Sequence, residues 1–97
     1  MPRAPKRPTT RTYRSRARTA PGAAEMLAAL GERIRSLREA TGLSQERLAA
    51  AAEIASKRLQ DIEHGRGNPT ATTLFAIARG CGVPFSKLFV GVDSGTR

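Results

Sequence analysis

One cysteine, one histidine, one tyrosine and no tryptophan occur in the 97 residues, and each scarcity removes a class of function. Cys81 alone permits no disulfide framework within the chain, and with His64 as its only companion no Cys/His metal site can be assembled. The same inventory offers no paired nucleophile and base, and no glycine-rich phosphate loop follows a strand pattern, so neither an enzyme nor a cofactor or small-molecule site is expected. No run approaches the eighteen or more apolar residues that span a bilayer, and no apolar signal core follows the basic N-terminus. A soluble, cytoplasmic protein is the expectation.

Acidic residues are missing altogether from residues 1–22, which hold Arg3, Lys6, Arg7, Arg11, Arg14, Arg16 and Arg18 with four prolines and a single aromatic, Tyr13. Such a segment repels itself and buries little, which predicts a disordered tail. Seven of the nine net positive charges lie there, so the rest of the chain is nearly balanced. An excess of this size points to a polyanionic partner, nucleic acid ahead of acidic membrane. The tail reads either as a solvated extension, or a start-site artefact given that Met26 could begin the domain, or as a basic arm whose Arg11, Arg14, Arg16 and Arg18 meet phosphates.

What remains is one small domain, residues 23–90, rich in alanine, which suits short, closely packed helices and predicts an all-α core. Leu27, Leu30, Ile34 and Leu37 are spaced three and four apart, the stripe of a first helix that Thr41-Gly42-Leu43 ends. Ser44 is placed to cap a second helix whose inner residues are Leu48, Ala49 and Ala52. Ile54 lies in the turn, and a third helix from about Ala55 to His64 turns Leu59 and Ile62 inward. His64-Gly65-Arg66-Gly67-Asn68-Pro69 is loop by composition, and Thr70 caps a fourth helix, Ala71 to Cys81, with Leu74, Ile77 and Ala78 inward. Val83 to Val90 predicts a short fifth helix anchored by Phe85, Leu88 and Phe89, and residues 91–97 are expected to fray. Cys81, at an apolar position of the fourth helix, reads as a buried structural thiol.

Two short helices flanking a turn, with small Ala49 where they must cross closely, give the spacing of a helix-turn-helix. The run LGERIRSLREATGLSQERLA, then Ile54, then LQDIEHGRGNPT and LFAIARGCGVPFSKLF resembles the Xre family, the Cro and phage-repressor type of helix-turn-helix domain. The resemblance covers Leu27 to Val90 and implies a five-helix, lambda-repressor-like fold that binds double-stranded DNA as a bacterial transcriptional regulator at the nucleoid. It further implies that the helix after the turn enters the major groove, with Ser56, Lys57, Gln60 and Asp61 facing base edges. Arg58 matches a position nearer phosphate or a flanking base, Gln45 one that binds phosphate and braces the recognition helix, and Arg66 and Asn68 positions that touch the backbone. Glu63 matches a structural acid that pairs with an arginine of the first helix, for which Arg33 or Arg38 could serve. The side-chain chemistry agrees, since lysine donates to guanine, glutamine brackets adenine and aspartate accepts from cytosine.

Two positions depart from that pattern. Glu53 stands in the turn where the family favours glycine, and a left-handed conformation there costs a glutamate on the order of 1 kcal/mol. Ala55 replaces the serine or threonine that caps the recognition helix, a loss of about 1 kcal/mol. A domain this small contacts too few base pairs alone, so a homodimer through the Phe85, Leu88 and Phe89 region is expected. The alternative is an adaptor or antitoxin-like module using the same fold to bind a protein, with the arginine tail folding on that partner or on RNA.

Overall fold

In the computed structural model, which describes residues 20–93, helix α1 spans Ala23–Ala40, α2 Gln45–Ala52, α3 Ser56–Glu63 and α4 Ala71–Cys81, and a 3-10 helix spans Phe85–Phe89. The described residues contain no strand. The basic segment 1–19, with Arg11, Arg14, Arg16 and Arg18, and residues 94–97 lie outside the described residues.

Local chemistry sets most boundaries. α1 ends as Thr41 Oγ1 donates to the Arg38 carbonyl at 2.8 Å and Gly42 takes φ 75°, which lets the Leu43 N–H return to the Arg38 carbonyl at 3.1 Å. Ser44 and Thr70 cap α2 and α4, their hydroxyls accepting from the N–H groups of Arg47 at 3.1 Å and Thr73 at 3.2 Å.

The core gathers Leu30 and Ile34 of α1, Leu48, Ala49 and Ala52 of α2, Leu59 and Ile62 of α3, and Leu74, Ile77, Ala78 and Cys81 of α4, closed by Leu88. Cys81 is buried, and that burial raises its thiol pKa. Two details of the α1 stripe and the C-terminal segment differ from expectation. Met26 rather than Leu27 packs against the core, and α1 contacts α3, α4 and the 3-10 helix.

The expected fifth α-helix is a five-residue 3-10 helix. Pro84 precedes it in an extended conformation, and the Lys87 N–H closes an i to i+3 bond on the Pro84 carbonyl at 2.9 Å, the tighter turn that short pieces favour. Of its three expected anchors only Leu88 is fully buried; Phe85 and Phe89 stay 37% and 39% exposed. Beyond the 3-10 helix Gly91 takes φ 79° and Val92 is buried in the core.

Candidate nucleic-acid interface

The turn between α2 and α3 keeps its left-handed residue although no glycine is present. Glu53 adopts φ 58° and ψ 44°, the one non-glycine with positive φ among the described residues, and its N–H bonds to the Ala50 carbonyl at 3.1 Å. Ile54 follows, half-buried against the core, and Ala55 leads into α3 in an extended conformation with no side-chain cap. Glu53 thus holds a left-handed conformation that favours glycine, and α3 begins without a side-chain cap.

α3 divides cleanly by face. Leu59, Ile62 and Glu63 are buried, while Lys57 and Arg58 are exposed and Ser56, Gln60 and Asp61 half-exposed. Its inner end is fixed by a buried polar latch. Arg38 of α1 donates through Nε to Glu63 Oε2 at 2.7 Å and through Nη2 to Oε1 at 3.1 Å, and its Nη1 reaches the Leu43 carbonyl at 2.9 Å. Gln45 Nε2 of α2 donates to the same Glu63 Oε1 at 2.9 Å. The two-pronged hydrogen bond raises the Arg38 pKa above its ordinary value against the opposing effect of burial.

Of the two arginines expected to pair with Glu63, Arg38 does so, while Arg33 donates to the Lys87 carbonyl at 2.8 Å and ties α1 to the 3-10 helix. Gln45 braces α3 through Glu63. With α1, α2 and α3 joined at one residue, every buried polar side-chain atom among the described residues has a partner, the condition under which a buried ion pair is tolerated.

The sequence reading missed Gly31. A Cβ there would collide with the carbonyl oxygens of Ile62 and Glu63, so only glycine lets α1 lie this close to the end of α3. The signal was available: a glycine inside a helix costs roughly 1 kcal/mol relative to alanine, and one lying within the apolar stripe needs a packing reason.

Other site residues form a second cluster at the outer side of α3. Asp61 Oδ1 accepts from Lys57 Nζ at 3.4 Å and from Arg66 Nε and Nη2 at 3.4 and 3.3 Å. Desolvation pushes the Asp61 carboxyl pKa up, but the hydrogen bonds and charges of Lys57 and Arg66 together outweigh it and hold the group below the usual carboxylate range. Asn68 is exposed in the same loop, and His64 Nδ1 lies 2.8 Å from the Gln60 carbonyl oxygen. The candidate residues thus fall into a latch (Arg38, Gln45, Glu63), an outward face (Ser56, Lys57, Arg58, Gln60) and an ionic cluster (Lys57, Asp61, Arg66).

A family model described as a helix-turn-helix domain matches residues 29–86. The chain belongs to that family. The HTH-type transcriptional regulator DdrOP3 of Deinococcus deserti is 41% identical over 64 residues, 66% of this chain and 50% of that protein. The uncharacterized HTH-type transcriptional regulator y4dJ of Sinorhizobium fredii is 34% identical over 76 residues, 75% of this chain and 99% of that one. This helix-turn-helix chain thus spans about half the length of the first relative and almost all of the second. Among solved structures, the restriction-modification controller protein C.AhdI from Aeromonas hydrophila superposes with a TM-score of 0.64 at 32% identity, over 65% of this chain and 96% of that one. These matches bear out the Xre and Cro type of helix-turn-helix read from the sequence. No helix among the described residues is long and apolar enough to cross a membrane.

Proposed function

We propose that this helix-turn-helix protein is a transcriptional regulator that binds a specific double-stranded DNA sequence as a homodimer, with α3 in the major groove. The observation that carries the reading is the division of α3: its inner side is anchored by Leu59, Ile62 and the Glu63 latch, which leaves Ser56, Lys57, Arg58 and Gln60 on the outward side. Ser56, Lys57 and Gln60 are assigned to base edges, where lysine suits guanine and glutamine adenine. Arg58, Arg66 and Asn68 are assigned to the sugar-phosphate backbone, together with Gln45 at the N-terminus of α2, where unpaired N–H groups favour an anion. Arg11, Arg14, Arg16 and Arg18 of the basic arm add phosphate contacts that strengthen binding without reading sequence.

The second copy is assigned to the face formed by Phe75, Phe85 and Phe89. Phe85 packs edge-on against Phe75 at 5.7 Å between ring centroids and against Phe89 at 5.2 Å, and all three remain more than a third exposed beside Val90. An aromatic face of this kind, left to water in the monomer, suits a partner surface.

Selection of bound duplexes from a random pool tests the reading, with a palindromic site expected. No enrichment would favour the adaptor alternative, for which the same aromatic face would receive a protein. Lys57→Ala and Gln60→Ala should each weaken binding to the selected site by about 1–3 kcal/mol while affecting random duplex much less. Equal losses on both duplexes would sink the base-reading assignment.

A further inference from the structure

Asp61 stands apart on the outward face of α3, as an acid among donors. Its carboxylate is 33% exposed, against 74% for Lys57 and 61% for Arg66, and all three of their contacts converge on its Oδ1. The Arg66 N–H also donates to the Asp61 carbonyl at 2.8 Å, so the loop after α3 is folded onto this residue by main chain and side chain together. At 3.3–3.4 Å these contacts are long, and what Asp61 supplies to its two neighbours is chiefly its charge. The two cations it engages are ones assigned to meet DNA.

We infer that Asp61 is a positioning residue, an intramolecular counter-ion that restrains Lys57 and Arg66 and so sets how strongly the interface discriminates its own site from random duplex. The inference rests on the proposed DNA-binding reading and gives Asp61 a role within it other than contact with cytosine. Binding to random duplex draws its strength from cations that meet phosphates and release counterions. Lys57 and Arg66 must leave Asp61 to do so, and the carboxylate is then left facing a polyanion without its partners. At the matching site Lys57 meets a base edge from beside Asp61 and keeps that contact, so less of the cost arises there than at random sequence. Asp61 therefore penalises the wrong duplex more than the right one, a repulsive element of the kind that specificity commonly needs.

The test is Asp61→Asn in the full chain, titrated by fluorescence anisotropy against the duplex enriched by the wild type and against a scrambled duplex, over a range of salt. Affinity for the scrambled duplex should rise about three- to tenfold, with a salt slope steeper by about 1–2 as one or two further phosphates are engaged. Affinity for the enriched duplex should change less, so that their ratio falls. In a Lys57→Gln, Arg66→Gln background the same substitution should move neither slope nor ratio. Asp61→Ser, which also removes the charge, serves in the same titration if the amide variant melts early. Unchanged affinities would overturn the inference. An equal gain in the Lys57→Gln, Arg66→Gln background would do the same by revealing through-space repulsion, and a loss confined to one base pair of the enriched site would make Asp61 a base reader. A wild type that enriches no duplex would overturn the DNA-binding reading and this inference with it, whereas the other three outcomes overturn the inference alone.

Discussion

The two ends of the fold break the burial rule in opposite directions. At the α3 end a carboxylate, Glu63, is 6% exposed, while at the far end an aromatic ring, Phe75, is 48% exposed with Arg79 5.9 Å from its centroid. The buried charge is tolerable because Arg38 and Gln45 supply its hydrogen bonds. The exposed rings pack edge-on against one another, with the Arg79 guanidinium over Phe75. Three elements meeting at a satisfied charge give a rigid junction, which suits an interface whose side chains must keep their aim. Apolar surface left outside a closed core serves association better than stability. The contrast teaches that in a chain this small the exceptions to the burial rule, rather than the core, separate the surface that orients α3 from the surface available to a partner.

Glu63→Ala should give the largest effect, a loss of about 3–5 kcal/mol in urea unfolding, because Arg38 would remain a nearly buried cation without its counter-ion. Replacing Glu63 and Arg38 together with leucine and methionine should recover most of that loss. If the single and paired substitutions melt alike, the latch does not hold α3 electrostatically. Leu59→Ala or Ile62→Ala should cost about 2–5 kcal/mol by opening the core beneath the same helix, visible as an earlier circular dichroism melt.

At the aromatic end, Phe85→Ser with Phe89→Ser should cost less stability, about 1 kcal/mol for each, and sedimentation equilibrium should show a monomer where the parent associates. A variant that sediments like the parent would remove the face from the dimer and sharpen the question of what it serves. Glu53→Gly is the smallest change and the only stabilising one, a gain on the order of 1 kcal/mol from relief of the left-handed glutamate. An unchanged midpoint would mean that Glu53 makes a compensating interaction.

The helix caps, the loop and the inward positions of α2 to α4 were legible in the sequence because each depends on neighbours a few residues away: Ser44 three residues before Arg47, Thr70 three before Thr73, Leu59 and Ile62 on one side of a single helix. The sequence marked the turn at Glu53 as a departure, and only the structure shows that Glu53 takes the left-handed conformation. Sequence alone left open which of Arg33 and Arg38 meets Glu63, since both lie on α1 and only the angle at which α1 crosses α3 brings Arg38 within 2.7 Å. That crossing rests on the absence of a Cβ at Gly31, whose partners Ile62 and Glu63 lie some thirty positions along the chain. The fate of Phe85 and Phe89 was decided by the core, which closes over Leu88 and Val92 and leaves the rings outside. Asp61 stood in the sequence as a candidate reader of bases; that Arg66 folds back over α3 and pairs with it was not legible there. Local periodicity and capping determined the elements because their energetics are local, whereas pairing across the fold depends on how those elements pack, which only the tertiary structure could decide.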